Sequence, residues 1–216
     1  MLCMHLHHWN IKRIEPNNMK YFTSDLHFYH KNILKYQPDR PWKTVEEMNE
    51  GIIANWNATV KPEDEIYILG DFAFAQPTAQ IALLRRLNGK KYLVEGNHDE
   101  MMNPELRAQF TWIKDFFELN VTFDDGVKQR IILCHYAFRV WNKSHRGAWN
   151  FYGHSHGSLP PQGKQIDVGI DATIEYHKWF GTNAGVKPFS PVSLDQIRVL
   201  LEKQDIYYGD HHQPEE

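Results

Sequence analysis

The 216-residue sequence predicts an α/β layered fold made of two sheets. Its first half alternates apolar strand-like runs with amphipathic helical segments, the pattern of parallel strands joined by helices. Its second half contains strand-like runs joined by loops with turn signals, which predicts a second, largely antiparallel sheet packed on the first. We therefore expect one domain over residues 19–206, between an extension over residues 1–18 and a tail over residues 207–216.

The predicted first sheet arises from segments with clear helical or strand character. In order, these are a strand over 20–24, a helix over 44–60, a strand over 65–71, a helix over 77–89 and a strand over 90–99. In the first helix, Thr44 and Glu47 have the spacing of a capping box. Met48, Ile52 and Trp56 repeat at helical spacing and define one apolar face. The second helix has proline near its start and glycine at its end.

The predicted second sheet arises from four apolar runs. These cover residues 116–123, 129–135, 148–156 and 164–171. A final helix over 193–204 begins at a second capping box, formed by Ser193 and Gln196. This two-sheet arrangement leaves strand ends as the expected place for a ligand, because ligands of α/β folds gather at the carboxyl ends of strands.

Composition narrows the function classes. A hydrophobic content of 42% supports one large core, and a net charge of −3 from 24 basic and 27 acidic residues does not favour a nucleic-acid partner. Cys3 and Cys134 are the two cysteines, so no disulfide framework is expected. No apolar run is long enough to span a bilayer, and no signal peptide is recognisable. We expect a cytoplasmic protein without a membrane partner, and the oligomeric state is not predicted.

Polar residues close most of the predicted strands. Asp25 and His27 are two residues apart, so on a strand they would face the same space. Further along the chain, strand ends carry Asp71, Asn97, His98, Asp99, His135, His154 and His156. Imidazole nitrogen mixed with carboxylate oxygen suits Mn, Fe, Zn or Ni better than Ca or Mg. Five strand ends with such side chains predict a site for two metal ions.

The order of these motifs resembles the calcineurin-like metallophosphoesterases. The motifs are D-x-H at 25–27, G-D at 70–71, G-N-H-D at 96–99, the isolated His135 and G-H-S-H at 153–156. The wider sequence looks like a branch of small bacterial and phage members. The resemblance implies a four-layer α/β/β/α sandwich of two mixed sheets flanked by helices, in agreement with the two-sheet prediction.

The resemblance also implies a role for each motif residue. The first ion would be bound by Asp25, His27 and His156, the second by Asn97, His135 and His154, with Asp71 bridging both. His98 would contact the phosphate and protonate the leaving oxygen as a general acid. The implied cofactors are two divalent transition-metal ions, Mn²⁺ first, with Fe, Zn or Ni as alternatives.

The sequence departs from the protein Ser/Thr phosphatases of this family directly after G-D. Their pattern continues with a second Asp and an Arg, whereas this chain reads "GDFAFAQ". We therefore expect a phosphodiester or a small nucleotide-type phosphoester as substrate, attacked by a metal-bridging hydroxide. The alternatives are a nuclease on DNA or RNA strands, a phosphomonoesterase, or a scaffold without activity. Every ligand position is filled, which argues against a scaffold.

Four further residues have two interpretations each. Arg40 and Arg139 would bind the substrate phosphate or form surface ion pairs. His30 would cap the short helix that follows it or reach the phosphate, and the structural role is favoured. Asp99 would orient His98 or cap the helix or turn that follows it.

Overall fold

The computed structural model describes residues 18–100 and 103–210, so nearly all of the predicted extension and most of the tail lie outside it. The described residues contain two sheets. The strands are β1 (Lys20–Thr23), β2 (Glu65–Ile68), β3 (Lys90–Val94), β4 (Trp112–Lys114), β5 (Phe116–Thr122), β6 (Lys128–Cys134), β7 (Trp149–Tyr152), β8 (Gln165–Asp167) and β9 (Val192–Ser193). The helices are α1 (Ile33–Tyr36), α2 (Val45–Thr59), α3 (Pro77–Leu84), α4 (Pro104–Arg107), α5 (Tyr176–Phe180) and α6 (Leu194–Leu201). None of these helices is both long and apolar enough to cross a bilayer.

The first sheet has the strand order β4-β3-β2-β1-β9. β1 to β4 run parallel, as the alternation of strands and helices predicts, and β9 pairs antiparallel with the free edge of β1. Aromatic side chains align across this register: Phe22 pairs with Tyr67, and Tyr67 pairs with Tyr92. Their rings stack at 5.2 and 4.7 Å between centroids.

The second sheet has the order β5-β6-β7-β8 and is mixed. The prediction that it is largely antiparallel is wrong, because only β5 and β6 are antiparallel and the other two pairings are parallel. The connections over 135–148 and 153–164 are long enough to return the chain to the starting edge, which parallel pairing requires. As a result, the carboxyl ends of β6, β7 and β8 lie at one edge.

Two apolar layers form the core, one between the two sheets and one between the first sheet and the helices. Phe22 and Leu69 from the first sheet pack between the sheets with Ile131, Leu133 and Phe151 from the second. The other face of the first sheet is covered by helices, with Ile52 and Trp56 of α2 and Leu83 of α3 in a second cluster. The predicted α/β class with two mixed sheets and flanking helices is confirmed.

Part of the outer face of the second sheet, around Ile132, is covered by the loop over 136–148. Trp141 of this loop packs on Ile132 and Ala148, and the loop contains a single 3-10 turn, Ser144–Arg146. The outermost layer is therefore a loop at this position, rather than a long helix.

Several predicted boundaries differ from the observed ones. The helix expected over 77–89 ends at Leu84, and Gly89 adopts a φ of +90° in the turn before β3. The box at Ser193 is complete. At Thr44 only half of a box forms: its hydroxyl accepts from the Glu47 amide, while the Glu47 carboxylate accepts from Lys43 N.

Candidate metal centre

Polar side chains from five strand ends meet at one edge of the two-sheet core. Isolated parallel bridges join Ser24 to Gly169 and Phe28 to Ala73, so the backbone stays paired beyond the strands themselves. Two groups of side chains have ligand atoms within 4.8 Å of one another. The first group contains Asp25, His27 and His156, and the second contains Asp71, His135 and His154.

Asp71 lies between the two groups. Its Oδ2 is 3.5 Å from His27 Nε2 in the first group and 3.8 Å from His135 Nε2 in the second. The first group is closed by a 3.2 Å separation between the Nε2 atoms of His27 and His156. One carboxylate oxygen thus faces the imidazoles of both groups.

Five of these side chains belong to residues whose backbone adopts the left-handed conformation. The φ angles are 55° at Asp25, 50° at His27, 55° at Asp71, 63° at His154 and 47° at His156. Residues with a Cβ seldom adopt this conformation, and such residues concentrate at functional sites, where the surrounding structure imposes them. The turn after each strand therefore aims the side chain into the site at a cost in backbone energy.

The second group contains acceptors that face one another. His135 Nδ1 is 2.7 Å from the carbonyl of Leu69, so Nδ1 carries the proton and donates it to that oxygen. His135 Nε2 then carries a lone pair, and this nitrogen lies 3.0 Å from Asn97 Oδ1. Asn97 Oδ1 is also 3.0 Å from His154 Nδ1. A cation would satisfy these lone pairs, and the residues present fit a divalent metal ion.

The first group is more deeply buried. Burial raises the pKa of the Asp25 carboxyl well above its usual range, against the opposing effect of His156 and with further raising by Asp167 and Asp71. Burial, followed by the proximity of His156, lowers the pKa of His27 to about 2, so its imidazole is neutral. Its Nδ1 has no hydrogen-bond partner within the described part of the chain. A buried carboxyl group beside the neutral imidazole of His27 is a suitable start to a set of metal ligands.

Arg40 has a different place from the predicted phosphate clamp. Its guanidinium is fully buried and donates to both carboxylate oxygens of Asp171, at 2.8 and 2.7 Å. It also donates to the backbone carbonyls of Asp25 and Leu26, at 2.7 and 3.1 Å. Asp171 in turn lies 2.7 Å from His156 Nδ1. Arg40 therefore supports the first group from behind and is not presented to a substrate.

Hydrogen bonding shifts the pKa values of Asp171 and His156 in opposite directions. Burial raises the pKa of Asp171, but the bonds from His156 and Arg40 outweigh it and hold the pKa below its usual value. Burial lowers the pKa of His156, and the opposing effects of Asp171 and Asp25 raise it overall. A carboxylate behind a histidine ligand fixes the tautomer and leaves Nε2 free for a metal.

The other predicted residues lie around this centre or outside it. His98 is exposed, its backbone N–H donates to Asp71 Oδ1 at 3.0 Å, and its ring is 4.9 Å from that of Phe74. His30 stacks on the same Phe74 at 4.2 Å; it does not cap the following helix, whose N-cap is Asn32. Arg139 is exposed on the loop after β6.

Asp99 caps the turn before it and a neighbouring loop, which differs from the predicted cap on the helix or turn that follows it. Its carboxylate accepts from the backbone N–H groups of Asp71, Phe72 and Gly96, at 2.7, 2.9 and 2.9 Å. These bonds fix the turns that carry Asp71 and His98. They account for the orientation of the loops, and none of them goes to the His98 side chain.

Two buried aspartates were not predicted as site residues. Asp171 is described above, and Asp167 accepts from the backbone N–H groups of Gly157 and Gly169, at 3.0 and 2.8 Å. Burial raises the pKa of Asp167 to about 6. Both acids lie in the run "QIDVGIDA". Each comes directly after apolar residues of a predicted strand, which is the pattern that could have marked them as site residues.

Comparison with known proteins agrees with this geometry. The family model described as calcineurin-like phosphoesterase matches residues 21–213. The chain belongs to this family. Membership in the calcineurin-like phosphoesterases supports a hydrolase, and it agrees with the resemblance carried by the five motifs.

The chain is similar to proteins of Methanocaldococcus jannaschii, Mycobacterium phage and Aquifex aeolicus. An uncharacterized protein of Methanocaldococcus jannaschii is 32% identical over 192 residues, covering 85% of this chain and 91% of its own length. The gene 66 protein of Mycobacterium phage D29 is 30% identical, covering 70% of this chain and 87% of its own length. A crystal structure of a protein of unknown function from Aquifex aeolicus aligns with a TM-score of 0.60 at 27% identity, over 85% of this chain and all of that one.

Proposed function

We propose that this chain is a phosphoesterase with two metal ions that hydrolyses a phosphodiester or a small nucleotide-type phosphoester. The observation that carries the proposal is the position of Asp71, whose Oδ2 faces His27 on one side and His135 on the other. A shared carboxylate holds two ions at the separation that phosphoryl chemistry uses.

The residues divide between two ion sites. Asp25, His27 and His156 would hold one ion; Asn97, His135 and His154 would hold the other; Asp71 would contact both. The chemistry that two divalent ions supply when bound is polarisation of the phosphoryl group and activation of water. Mn²⁺ is the first choice for the mixed nitrogen and oxygen ligands, with Fe, Zn or Ni as alternatives.

His98 is proposed as the general acid. The bond from its backbone N–H to Asp71 Oδ1 holds it beside the shared carboxylate, and its exposed imidazole borders the space in front of the centre. An imidazole in this position is suited to protonate a departing oxygen. Phe74 stacks on His30 and lies tilted against the His98 ring, which limits the directions that the His98 ring can take.

The surroundings of His98 favour a diester over a monoester. A cavity of about 640 Å³ beside His98 is lined by Phe74, Gln76, Gln80 and Asn103, and its described lining contains no lysine or arginine. Glu100 is the acidic side chain of this lining. A phosphomonoester dianion would lack a cationic clamp here, since the guanidinium of Arg40 is already bound to Asp171. An uncharged alcohol, such as a nucleoside, suits the cavity better.

The direct test is hydrolysis by the purified chain. With Mn²⁺ we expect cleavage of bis-p-nitrophenyl phosphate at a higher kcat/KM than that of p-nitrophenyl phosphate. A preference for the monoester would contradict the substrate class and leave the phosphoesterase proposal standing. No hydrolysis of either compound with Mn, Fe, Zn or Ni would contradict the proposal itself.

The role of His98 has its own test. His98→Ala should lower kcat on bis-p-nitrophenyl phosphate by about 10²–10⁴-fold, the usual contribution of general acid catalysis. The bound Mn²⁺ should stay at the wild-type stoichiometry, because His98 is not among the proposed ligands. His177→Ala removes an exposed histidine on α5 and serves as the matched control. Wild-type kcat in His98→Ala would contradict the role.

A nuclease is the second candidate, because the described residues include one strongly basic cavity. Labelled DNA and RNA oligonucleotides in the same assay distinguish the two substrates. Cleavage of strands faster than of the small diester would favour the nuclease.

A further inference from the structure

A second cavity lies at the end of the second sheet opposite the candidate metal centre. It has a volume of about 460 Å³ and is lined by the end of β5, the start of β6 and the loop before β7. Its cationic side chains are Lys128, Arg130, Lys143 and Arg146. We call it the basic cavity. The seven residues of β6 separate it from His135 by about 20 Å, at the usual rise of a strand.

Strand pleating places part of this charge on the outer face of the sheet. Lys128 pairs with Thr122, and Arg130 pairs with Asn120. The alternate residues of these strands, such as Ile131, point into the core between the sheets. Lys128 and Arg130 therefore project outward, together with the hydroxyl and the amide opposite them.

The loop before β7 supplies the rest of the charge and is held in place. Gln129 Nε2 donates to the carbonyl of Gly147 at 3.1 Å, and Trp141 Nε1 donates to the carbonyl of Ala148 at 2.9 Å. Lys143 adopts a φ of 61°, an uncommon conformation for a residue with a Cβ. The loop thus presents Lys143 and Arg146 from an anchored backbone.

The charge of the basic cavity is opposite to that of the whole chain. The chain has a net charge of −3, whereas the described lining of the cavity contains four cations and no acid. Glu118 pairs with Arg130 at 3.3 Å from the adjacent part of β5. Lys128, Lys143 and Arg146 form no ion pair within the described ranges, 18–100 and 103–210. Like charges gathered without counterions indicate an anionic ligand.

We propose that the basic cavity binds the phosphate backbone of a nucleic-acid strand. Lysine and arginine accompanied by hydroxyl and amide side chains are the usual partners of phosphate and sugar. The cavity is larger than a single phosphate requires, and Lys128, Lys143 and Arg146 are exposed, so the site is open to a chain passing across it. The proposal does not depend on which phosphoester the metal centre hydrolyses.

The test is binding of a fluorescein-labelled single-stranded oligonucleotide to metal-free protein, followed by anisotropy over a series of salt concentrations. The triple variant Lys128→Gln, Lys143→Gln, Arg146→Gln should lose at least about tenfold in affinity at low salt. The slope of log K against log salt should fall by about 2, at about 0.7 for each lost phosphate contact. The control triple variant Lys61→Gln, Lys187→Gln, Lys203→Gln removes the same charge from exposed positions elsewhere and should bind nearly as wild type.

Three outcomes would overturn the proposal. These are no strand binding by the wild type at low salt, an equal loss in the two triple variants, and binding of tripolyphosphate at the cavity without binding of the strand. Hydrolysis of bis-p-nitrophenyl phosphate is measured on the same triple variants. It should stay at the wild-type rate, so a failure of the binding proposal is distinguishable from a failure of the proposed phosphoesterase activity.

Discussion

At the residue scale, the carboxylate of Asp171 determines which nitrogen of His156 faces the candidate metal centre. Its Oδ2 lies 2.7 Å from His156 Nδ1, and the guanidinium of Arg40 holds both carboxylate oxygens. His156 Nε2 is thereby directed toward Asp25 Oδ1, 3.9 Å away. Two buried residues that touch no substrate thus orient one ligand of the first group.

We predict that Asp171→Asn weakens one ion site and leaves the other. An amide offers one acceptor oxygen where Arg40 and His156 together use two, so His156 loses its fixed orientation. Loss of such a supporting carboxylate costs about 10–100-fold in metal affinity. Isothermal titration with Mn²⁺ should show one weakened site and one unchanged site. Asp125→Asn removes an exposed carboxylate that pairs with Arg198 and is the control.

Arg40 shows where sequence reasoning fails at this scale. The run "DRPW" presents an arginine near the motif residues, which is compatible with a phosphate clamp. Its partner Asp171 lies 131 residues further along the chain, so only the fold reveals the pair. The seven residues proposed as ligands share a pattern that the sequence displays, because each follows an apolar strand and several stand next to glycine. The structure brings all seven together.

Lys91 on β3 provides a prediction about pH. Burial lowers the pKa of its ammonium group to about 8, below the 10.5 of an ordinary lysine. Between pH 8 and 10.5 the unfolded chain therefore holds more protons than the folded chain, and the contribution of Lys91 to stability rises with pH. Lys91→Met should increase the free energy of unfolding at pH 7, and this gain should shrink as pH rises to 10. Urea unfolding at both pH values measures it, and a gain that is independent of pH would contradict the assigned cause.

At the element scale, connection length decides the direction of the strands in the second sheet. Turn signals such as "PPQG" mark loops but do not distinguish a hairpin from a crossover. The connections over 135–148 and 153–164 make β6, β7 and β8 parallel. The short helices α4 and α5 were not predicted for a different reason: they have four and five residues, too few to display a helical period.

The close approach of β7 to β1 gives a prediction at the same scale. A Cβ at Gly153 would overlap Ser24 Oγ and come within 2.6 Å of Asp25 Oδ2. Gly153→Ala should therefore separate the two strand ends and displace Asp25, with loss of Mn²⁺ binding and of stability. Gly126→Ala, in an open turn with a φ of +82° and no atom within 4 Å of its added Cβ, should cost only about 1 kcal/mol and keep Mn²⁺ binding. Equal Mn²⁺ affinity in the two variants would contradict the role given to the strand ends.

At the scale of the whole molecule, the fold gathers side chains from Asp25 to Asp171 into one acceptor-rich cluster. Asp25 and Asp71 are almost completely buried, and five of the seven proposed ligands occupy the left-handed region. Without a cation this arrangement brings buried carboxylates together and opposes folding. A bound metal ion would offset that cost, so folding and metal binding are expected to be coupled.

This coupling predicts how removal of the metal changes thermal stability. Manganese at about 100 times its Kd should stabilise the folded state by about 2.7 kcal/mol. For a chain of this size, that gain corresponds to an increase in Tm of about 5–10 °C over protein treated with EDTA. Asp71→Asn should lose most of the increase, because its carboxylate faces both groups.

The metal-free form of this variant should melt no lower than metal-free wild type, since the substitution removes one buried charge from the cluster. Differential scanning calorimetry measures all four states, with Asp125→Asn as the control for a lost exposed carboxylate. A wild-type Tm increase in Asp71→Asn would place the stabilising ion elsewhere and would contradict the two-ion centre.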